Sequence, residues 1–452
     1  MESVVFITVD CLRSDHVGCY GYERETTPTI DSLASRDGAV KLEGYSNSPG
    51  TQWATQTLYT GKWTVQIQGH GNPGNTPTLP RVFKENGYAT AGFSINGQFS
   101  EFYDYDADFD DFYGLDDFKT DEDILSRAGK YVNDNYVSNF RIRQFLSRMY
   151  NHYFLPAKSK VSDDAVGPTD EDLVNRAVEW ISERQNESRP FFAWIHLMDA
   201  HTPYPHRPEH LEAVGGDPEA KSIFNPNKSG DLDDPEYRED AFRAYDAAIR
   251  SADEQIERVL ATVSDDTVVT VTADHGEDFG EWIGFHMPSV YSSMSQVPLV
   301  IDGGNLNDDI SGRVQHVDLT PTLVKAAGIE PPEEWEGEPV HEKDIGEDQP
   351  IYFTIETDDY GFGVRVGDWK LVRSSSEDDP LLYRSGYLEQ EGEEVGDEYP
   401  DKREELDAIL QEHLDDVRSR MVGEAKAGWD TEEGRENLPE DLEDNLEELG
   451  YL

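Results

Sequence analysis

Positive charge is what this chain of 452 residues has least of: 38 Lys and Arg stand against 94 Asp and Glu, a formal net charge of -56. That deficit speaks against nucleic acid as a partner, because phosphates would be repelled. It also far exceeds what solubility in ordinary buffer needs. At low salt the self-repulsion would destabilise a compact fold, whereas at molar salt the Debye length shrinks to roughly 3 Å and the same charges hold a hydrated surface. The expectation is a halophilic, salt-accumulating cytoplasm; disorder, the other reading of an acidic composition, conflicts with the regular apolar strands described below. Cysteine is nearly absent. Cys11 and Cys19 form neither a disulfide framework nor a zinc-finger spacing, which suits a reducing interior. No apolar run reaches the roughly 18 residues of a membrane span, and the opening "MESVVFITVD" has neither a basic n-region nor a long apolar h-region. A soluble, cytoplasmic protein is expected, and nothing in the sequence sets its oligomeric state.

What is present is a repeated alternation. Short apolar, β-branched runs recur at 4–10, 88–95, 190–197, 267–274 and 297–301. Helical patterns lie between them: Ile30, Leu33 and Ala34 share a face before Gly38, "TLPRVFKENG" ends at Gly87, and 170–186 and 241–260 carry Leu173, Ala177, Ile181 and then Tyr245, Ala248, Ile249, Ala252, Ile256, Leu260. Continuous apolar strands alternating with helices imply an α/β fold with a mainly parallel sheet covered on both faces. From about residue 345 the pattern turns to short hairpin strands, "IYFTIET", "GFGVRVG", "WKLVRS" and "LLYRSG", followed by a helix with Leu406, Ile409, Leu410, Leu414 and Val417 on one side. The length is too great for one compact core. We expect a large domain over 1–344 and a small α+β subdomain over 345–452, whose closing "LEDNLEELGYL" puts Leu442, Leu446 and Leu449 on one stripe that docks. One segment breaks the acidic background: within 126–165, residues 126–160 hold seven Lys or Arg and one acid, interleaved with Tyr and Phe. It reads as an amphipathic insertion covering apolar surface, or as a lid for an anionic substrate or lipid headgroup.

In parallel sheets, sites form at the carboxyl ends of strands. Asp10 ends the first strand, Asp274 ends "TVVTVTAD", and His275 follows in "ADHGE". Two carboxylates and an imidazole delivered in tight turns can converge on one divalent cation; singly, each Asp is equally a turn or helix cap. Thr51, in "NSPGTQWATQTLYTG", opens a predicted helix, where its hydroxyl is either an N-cap or a group poised beside the helix dipole.

Here the sequence resembles a family. "ITVDCLRSDHVGCYGYERETTPTIDSLASRDG" is similar to the amino-terminal signature of the sulfatase branch of the alkaline phosphatase-like superfamily, and "SNSPGTQWATQTLYTGKW" to its nucleophile segment. "HLMDAHTPYPH" resembles its substrate-histidine loop, "TADHGEDFGEWIGFHMPSVYSSMSQVPLVI" its second metal segment, and "GDWKLVR" and "LGYL" fall where that family has them. The resemblance implies an alkaline phosphatase-like three-layer sandwich. It also implies a site that departs from the family's usual one. The cysteine that sulfatases convert to formylglycine, within Cys-x-Pro-Ser-Arg, aligns with Thr51, and Trp53, Ala54 and Thr55 replace the Pro, Ser and Arg. No formylglycine can form there. Relatives that hydrolyse or transfer phosphoryl groups use Thr or Ser at this point, activated by a bound metal.

The resemblance further implies metal ligands Asp10, Asp274, His275 and Thr51, a set similar to that of phosphonate monoester hydrolases and of phosphoglycerol and phosphoethanolamine transferases. The usual second Asp is Cys11 and the usual Asp-Asn is Asp274-His275. A histidine ligand favours Mn2+ or Zn2+, with Ca2+ and Mg2+ also compatible, while Cys11 reads as a small buried hydrophobe more readily than as a ligand. His201 and His286 map onto positions that contact the transferred group, as cations or as acid to the leaving oxygen. Arg13 would hold the anionic group or the nucleophile, an ordinary ion pair being the alternative. His196 and His206 match nothing specific and read as core and surface. Where sulfatases carry a Lys-x-x-His pair, this chain has Ser94, Asn96 and Gln98. Asn96 is thereby a candidate ester contact, and the less cationic pocket suits a monoanionic diester.

The expected function is a metal-dependent hydrolase or transferase of a phosphate ester or diester, acting through a Thr51 covalent intermediate on a small anionic ester, of a glycan or lipid headgroup. Two alternatives stay open: a sulfuric ester hydrolase with a non-formylglycine nucleophile, and a non-catalytic binding protein.

Overall fold

The computed structural model describes residues 2–118, 168–185, 187–205, 207–219, 232, 234–282, 284–304, 306, 310–343, 346, 348–355, 361–374, 377–424 and 442. The basic segment 126–165, His206, Leu446 and Leu449 lie outside them.

The apolar runs become strands within a residue or two of where the sequence places them. Fourteen are described: β1 (Val4–Val9), β2 (Ala39–Tyr45), β3 (Ile67–Gln68), β4 (Ala89–Ser94), β5 (Asp111–Tyr113), β6 (Phe191–Leu197), β7 (Val268–Ala273), β8 (Gln296–Asp302), β9 (Arg313–Gln315), β10 (Ile351–Thr354), β11 (Phe362–Val366), β12 (Trp369–Arg373), β13 (Leu381–Arg384) and β14 (Gly423–Glu424). Eight form one sheet in the order β5-β4-β6-β1-β7-β8-β2-β9. Its pairs are parallel except those of β8, which runs antiparallel to both β7 and β2.

The two-residue alternation of β1 shows why both faces need cover. Val5, Ile7 and Val9 pack with one set of helices, Pro28–Ala34, Asp170–Gln185 and Pro235–Leu260. Val4 and Phe6 face the other way, towards Thr51–Thr60, Leu79–Glu85 and His316–Ala326. The result is a helix–sheet–helix sandwich with a largely parallel centre. Leu442 is buried in the second of these layers, as its place on the closing stripe predicts.

The hairpin strands β10 to β13 make a separate antiparallel sheet. The helix Pro400–Arg418 lays Leu406, Leu410 and Leu414 across Val364, Leu371 and Leu382. Residues from that sheet also pack on Tyr45, Val290 and Tyr291, next to the loops that follow β7. Among the described residues no helix is long and apolar enough to cross a membrane.

Candidate metal and nucleophile site

Strand register brings the site together. Val9 of β1 pairs with Leu197 of β6 on one side and Ala273 of β7 on the other. The residues just beyond, Asp10 and Asp274, therefore leave the sheet side by side at its carboxyl edge. Asp10 is anchored there by its own N–H, which donates to the Leu197 carbonyl at 2.8 Å. Thr51 arrives from a different direction, as the first residue of the helix Thr51–Thr60, behind Gly50 as N-cap. The N-cap is thus Gly50 rather than Thr51, whose hydroxyl instead lies 3.3 Å from Asp10 Oδ2 and 3.2 Å from His275 Nε2.

His275 is held in a ligand's orientation. Its Nδ1 lies 2.7 Å from the Gly276 carbonyl, to which only an N–H can donate, so the lone pair is on Nε2. Nε2 in turn lies 3.6 Å from Asp10 Oδ1 and 3.6 Å from Asp274 Oδ2. Asp274 uses its other oxygen, Oδ1, to accept from the His275 and Cys11 N–H groups at 2.7 and 3.3 Å. Oδ2 is buried without a hydrogen-bond partner.

An ionised oxygen buried in that way costs several kcal/mol unless a cation compensates it. Ligand atoms around an ion with bonds of about 2.1 Å lie roughly 3 to 3.5 Å apart. Thr51 is within 3.3 Å of Asp10 Oδ2 and His275 Nε2, which is itself 3.6 Å from Asp10 Oδ1 and from Asp274 Oδ2, and Asp10, His196 and Asp274 each place one donor atom within 4.8 Å of the others. Three oxygens and one nitrogen match borderline divalent cations. The charges agree. Burial pushes both carboxyls up, but for Asp10 the neighbouring His201, the hydrogen bond from His196 and His275 outweigh it and hold the group well below the usual range. Asp274, buried and facing Asp10, is raised.

Asn96 does not point its amide at open space: Nδ2 donates to Asp10 Oδ2 at 2.8 Å, while its Oδ1 accepts from Gln98 N–H. Arg13 is buried, and its guanidinium is taken up by Asp15 and Glu281 at 2.8 and 2.9 Å and by the Glu277 carbonyl at 3.0 Å. It is an ion pair that braces the loop after His275. His201 and His286 meet edge-on with ring centroids 4.5 Å apart. Burial pushes His201 down to about 4. His286 is also buried, but the Glu277 carboxylate, 3.1 Å from its Nδ1, outweighs that and raises it.

Four contributors were not singled out by sequence. His196, read there as a core residue, is buried, yet its Nε2 lies 3.3 Å from Asp10 Oδ2 and its Nδ1 2.9 Å from Thr8 Oγ1. Asp170 accepts from the N–H groups of Met198 and Asp199 at 2.7 to 2.9 Å and so fixes the loop that carries His201. Tyr245 accepts from Arg13 N–H at 3.0 Å and donates to the Cys11 carbonyl, which clamps the turn after Asp10. Glu277 orients His286. The one signal present for His196 was a histidine at the carboxyl end of an apolar strand.

Known proteins resemble the chain in sequence and in fold. The family profile described as Sulfatase matches residues 2–329. The uncharacterized sulfatase YidJ of Escherichia coli (strain K12) is 25% identical over 461 residues, covering 92% of this chain and 87% of that protein. Among solved structures, BT4656 in complex with its substrate D-glucosamine-2-N,6-O-disulfate has a TM-score of 0.65 at 16% identity, covering 93% of this chain and 99% of that one. The phosphonate monoester hydrolase SpPMH from Silicibacter pomeroyi has a TM-score of 0.60 at 17% identity, with 93% and 96% covered.

Proposed function

The chain belongs to the sulfatase family of the alkaline phosphatase superfamily, and from that premise we propose that it cleaves or transfers a phosphate ester or diester with Thr51 as nucleophile. The observation that carries this reading is the Thr51 hydroxyl at the first turn of a helix, 3.3 Å from Asp10 and 3.2 Å from His275 Nε2, where no cysteine is present to be modified.

Asp10, Asp274, His275 and Thr51 would hold one divalent cation, Mn2+ or Zn2+ by donor type. When bound, it supplies Lewis acidity that lowers the hydroxyl pKa and neutralises the ester's charge. The chain's own residues do the rest. Acidified in this way, Thr51 gives its proton to water, because Asp10 is held too acidic to keep it, and the start of the helix faces the anionic ester. The Thr51 oxygen forms a bond to phosphorus as the bond to the alcohol oxygen breaks, and the alcohol leaves with a proton from His286, whose charged form the Glu277 carboxylate favours. Water or an acceptor alcohol then displaces Thr51 and regenerates the hydroxyl. His201 and His286 stabilise the transferred group. Asn96 and His196 keep Asp10 aimed at the site, and Arg13 braces its loop.

A second reading, sulfuric ester hydrolysis by the same threonine, is supported by the sulfatase relatives and by a fold neighbour holding a disulfated sugar. A small anionic ester of a glycan fits either reading. The net charge of -56 supports work at high salt, in a salt-accumulating cytoplasm.

The deciding experiment compares wild type, Thr51→Ala and Thr51→Ser on aryl phosphomonoester, phosphodiester, phosphonate and sulfate substrates with Mn2+ at high salt. Thr51→Ala is expected to lose at least roughly 10³-fold in kcat on the best substrate, with Thr51→Ser retaining turnover. Full turnover by Thr51→Ala would remove the nucleophile. A preference for the sulfate ester would select the second reading, and no turnover of any ester with the cation bound would point to a binding protein.

A further inference from the structure

Lys370, in "GDWKLVR", is a charge set inside β12 between the apolar Trp369 and Leu371. It is buried, and so is Glu391, which follows β13; Lys370 Nζ lies 2.6 Å from Glu391 Oε1. The same carboxylate reaches out of the small sheet. It accepts from Ser292 Oγ at 2.8 Å and from Ser292 N–H at 3.0 and 3.1 Å, while Lys370 Nζ lies 3.4 Å from Ser295 Oγ. The ion pair thus grips both ends of the helical turn Ser292–Ser295, which leads into β8.

The middle of that turn faces the candidate site. The Met294 carbonyl accepts from Gly276 N–H at 2.8 Å and the Ser293 carbonyl from Glu277 N–H at 3.1 Å. The Gly276 carbonyl in turn lies 2.7 Å from His275 Nδ1, and the Glu277 carboxylate 3.1 Å from His286 Nδ1. We propose that Lys370 and Glu391 are positioning residues of this site: by fixing Ser292–Ser295 they hold residues 276 and 277, and through them the orientation of His275 and His286.

Stability alone does not account for the pair. Desolvating two charges costs enough that apolar side chains of the same size are often as stable or more so. What an apolar pair lacks is direction. The Ser292 N–H and hydroxyl both end on one carboxylate, which fixes that residue in distance and angle. The next contact transmits the hold, because a Cβ on Gly276 would lie 1.9 Å from the Ser293 carbonyl oxygen; the two backbones are already at closest approach, and a shift of one moves the other. A displacement of about 1 Å at a reacting group costs on the order of 100-fold. Arg13 grips the Glu277 carbonyl as well, at 3.0 Å, so loss of the ion pair loosens the turn without releasing it.

The inference rests on the proposed function for the roles of the two histidines, and the test keeps the two apart. Full-length wild type is compared with Lys370→Met/Glu391→Leu, which fills the space of the pair with apolar side chains and removes the hold on Ser292. Mn2+ affinity is measured by calorimetry, and kcat at saturating Mn2+ on the phenyl and para-nitrophenyl forms of the best ester. The double variant should bind Mn2+ roughly tenfold more weakly, because His275 is no longer held in a ligand's orientation. It should lose roughly tenfold in kcat on the phenyl ester, whose leaving oxygen needs the proton from His286, and less than about threefold on the para-nitrophenyl ester, whose leaving group departs as the anion. Loss of folded protein alone would slow both esters equally. Wild-type Mn2+ affinity, or equal slowing of the two esters, overturns the proposal. If the double variant fails to fold by circular dichroism, Glu391→Gln is put through the same measurements with the same criteria. Should wild type turn over neither ester, Mn2+ affinity alone decides. Thr51→Ala reads the proposed function independently, since it abolishes turnover of both esters if Thr51 is the nucleophile, whatever the ion pair does.

Discussion

At the scale of single residues the site is organised around one carboxylate. Asp10 Oδ2 faces Asn96 at 2.8 Å, His196 at 3.3 Å and Thr51 at 3.3 Å, while Oδ1 faces Cys11 at 3.1 Å. Asn96 and His196 hold this carboxylate, which in the proposed reading is a metal ligand. Removing such a partner typically weakens metal binding by 10- to 100-fold. We therefore expect Asn96→Ala and His196→Ala each to raise the Kd for Mn2+ by roughly 10- to 100-fold, measured by calorimetry. An unchanged Kd with a raised KM for the ester would instead make Asn96 a substrate contact. Asp10, Thr51, Asp274 and His275 were legible in the sequence because each stands at a strand end or helix start inside a long motif. The role of His196 was not. It depends on Thr8 pairing with His196 across 188 positions of sequence, and hydropathy does not encode which strands are neighbours.

At the scale of elements the parallel core was legible and one feature of its orientation was not. Apolar runs such as "VPLVI" announce a buried strand, but their periodicity is the same whichever way the strand runs. Only the structure shows β8 antiparallel to β7 and β2. That reversal matters for the site, because the chain leading into β8 passes beside the turn after β7. Gly276 N–H donates to the Met294 carbonyl at 2.8 Å, and Glu277 N–H to the Ser293 carbonyl at 3.1 Å. A Cβ on Gly276 would lie 1.9 Å from the Ser293 carbonyl oxygen. Since that atom is backbone, no rotamer change relieves the clash. Gly276→Ala should displace the Gly276 carbonyl from His275 Nδ1, and with it the ring. The expected outcome is a loss of cation affinity together with a stability loss of about 1 to 3 kcal/mol, read from metal titration and urea unfolding. Gly276→Ala with wild-type metal affinity would show that the turn can shift without moving His275.

At the scale of the whole molecule two long-range balances decide stability, and they act on different variables. The first is pH. Burial holds His70 and His413 down to about 4 and His316 to about 3. A histidine depressed in the folded state is protonated first in the unfolded chain. Its contribution is complete above about 6.5 and is lost as pH falls from there to about 4. For His70, a shift from 6.5 to about 4 corresponds to about 3 kcal/mol. Asp253, raised to about 6 by burial, works in the opposite sense below pH 6 and offsets part of that loss. Urea unfolding at fixed high salt should therefore weaken between pH 6.5 and 4, less steeply in His70→Asn; equal slopes in the two proteins would refute the assignment. The second balance is the net charge of -56. Its repulsion acts over about 10 Å at 0.1 M salt and about 3 Å at 1 M. If repulsion is what limits the fold, Tm should climb by more than roughly 5 °C between 0.1 and 1 M KCl and flatten beyond, because screening is then complete. A continued rise to 4 M would place the stabilisation in surface hydration rather than in screening, and a Tm insensitive to salt throughout would refute the high-salt setting proposed for the protein.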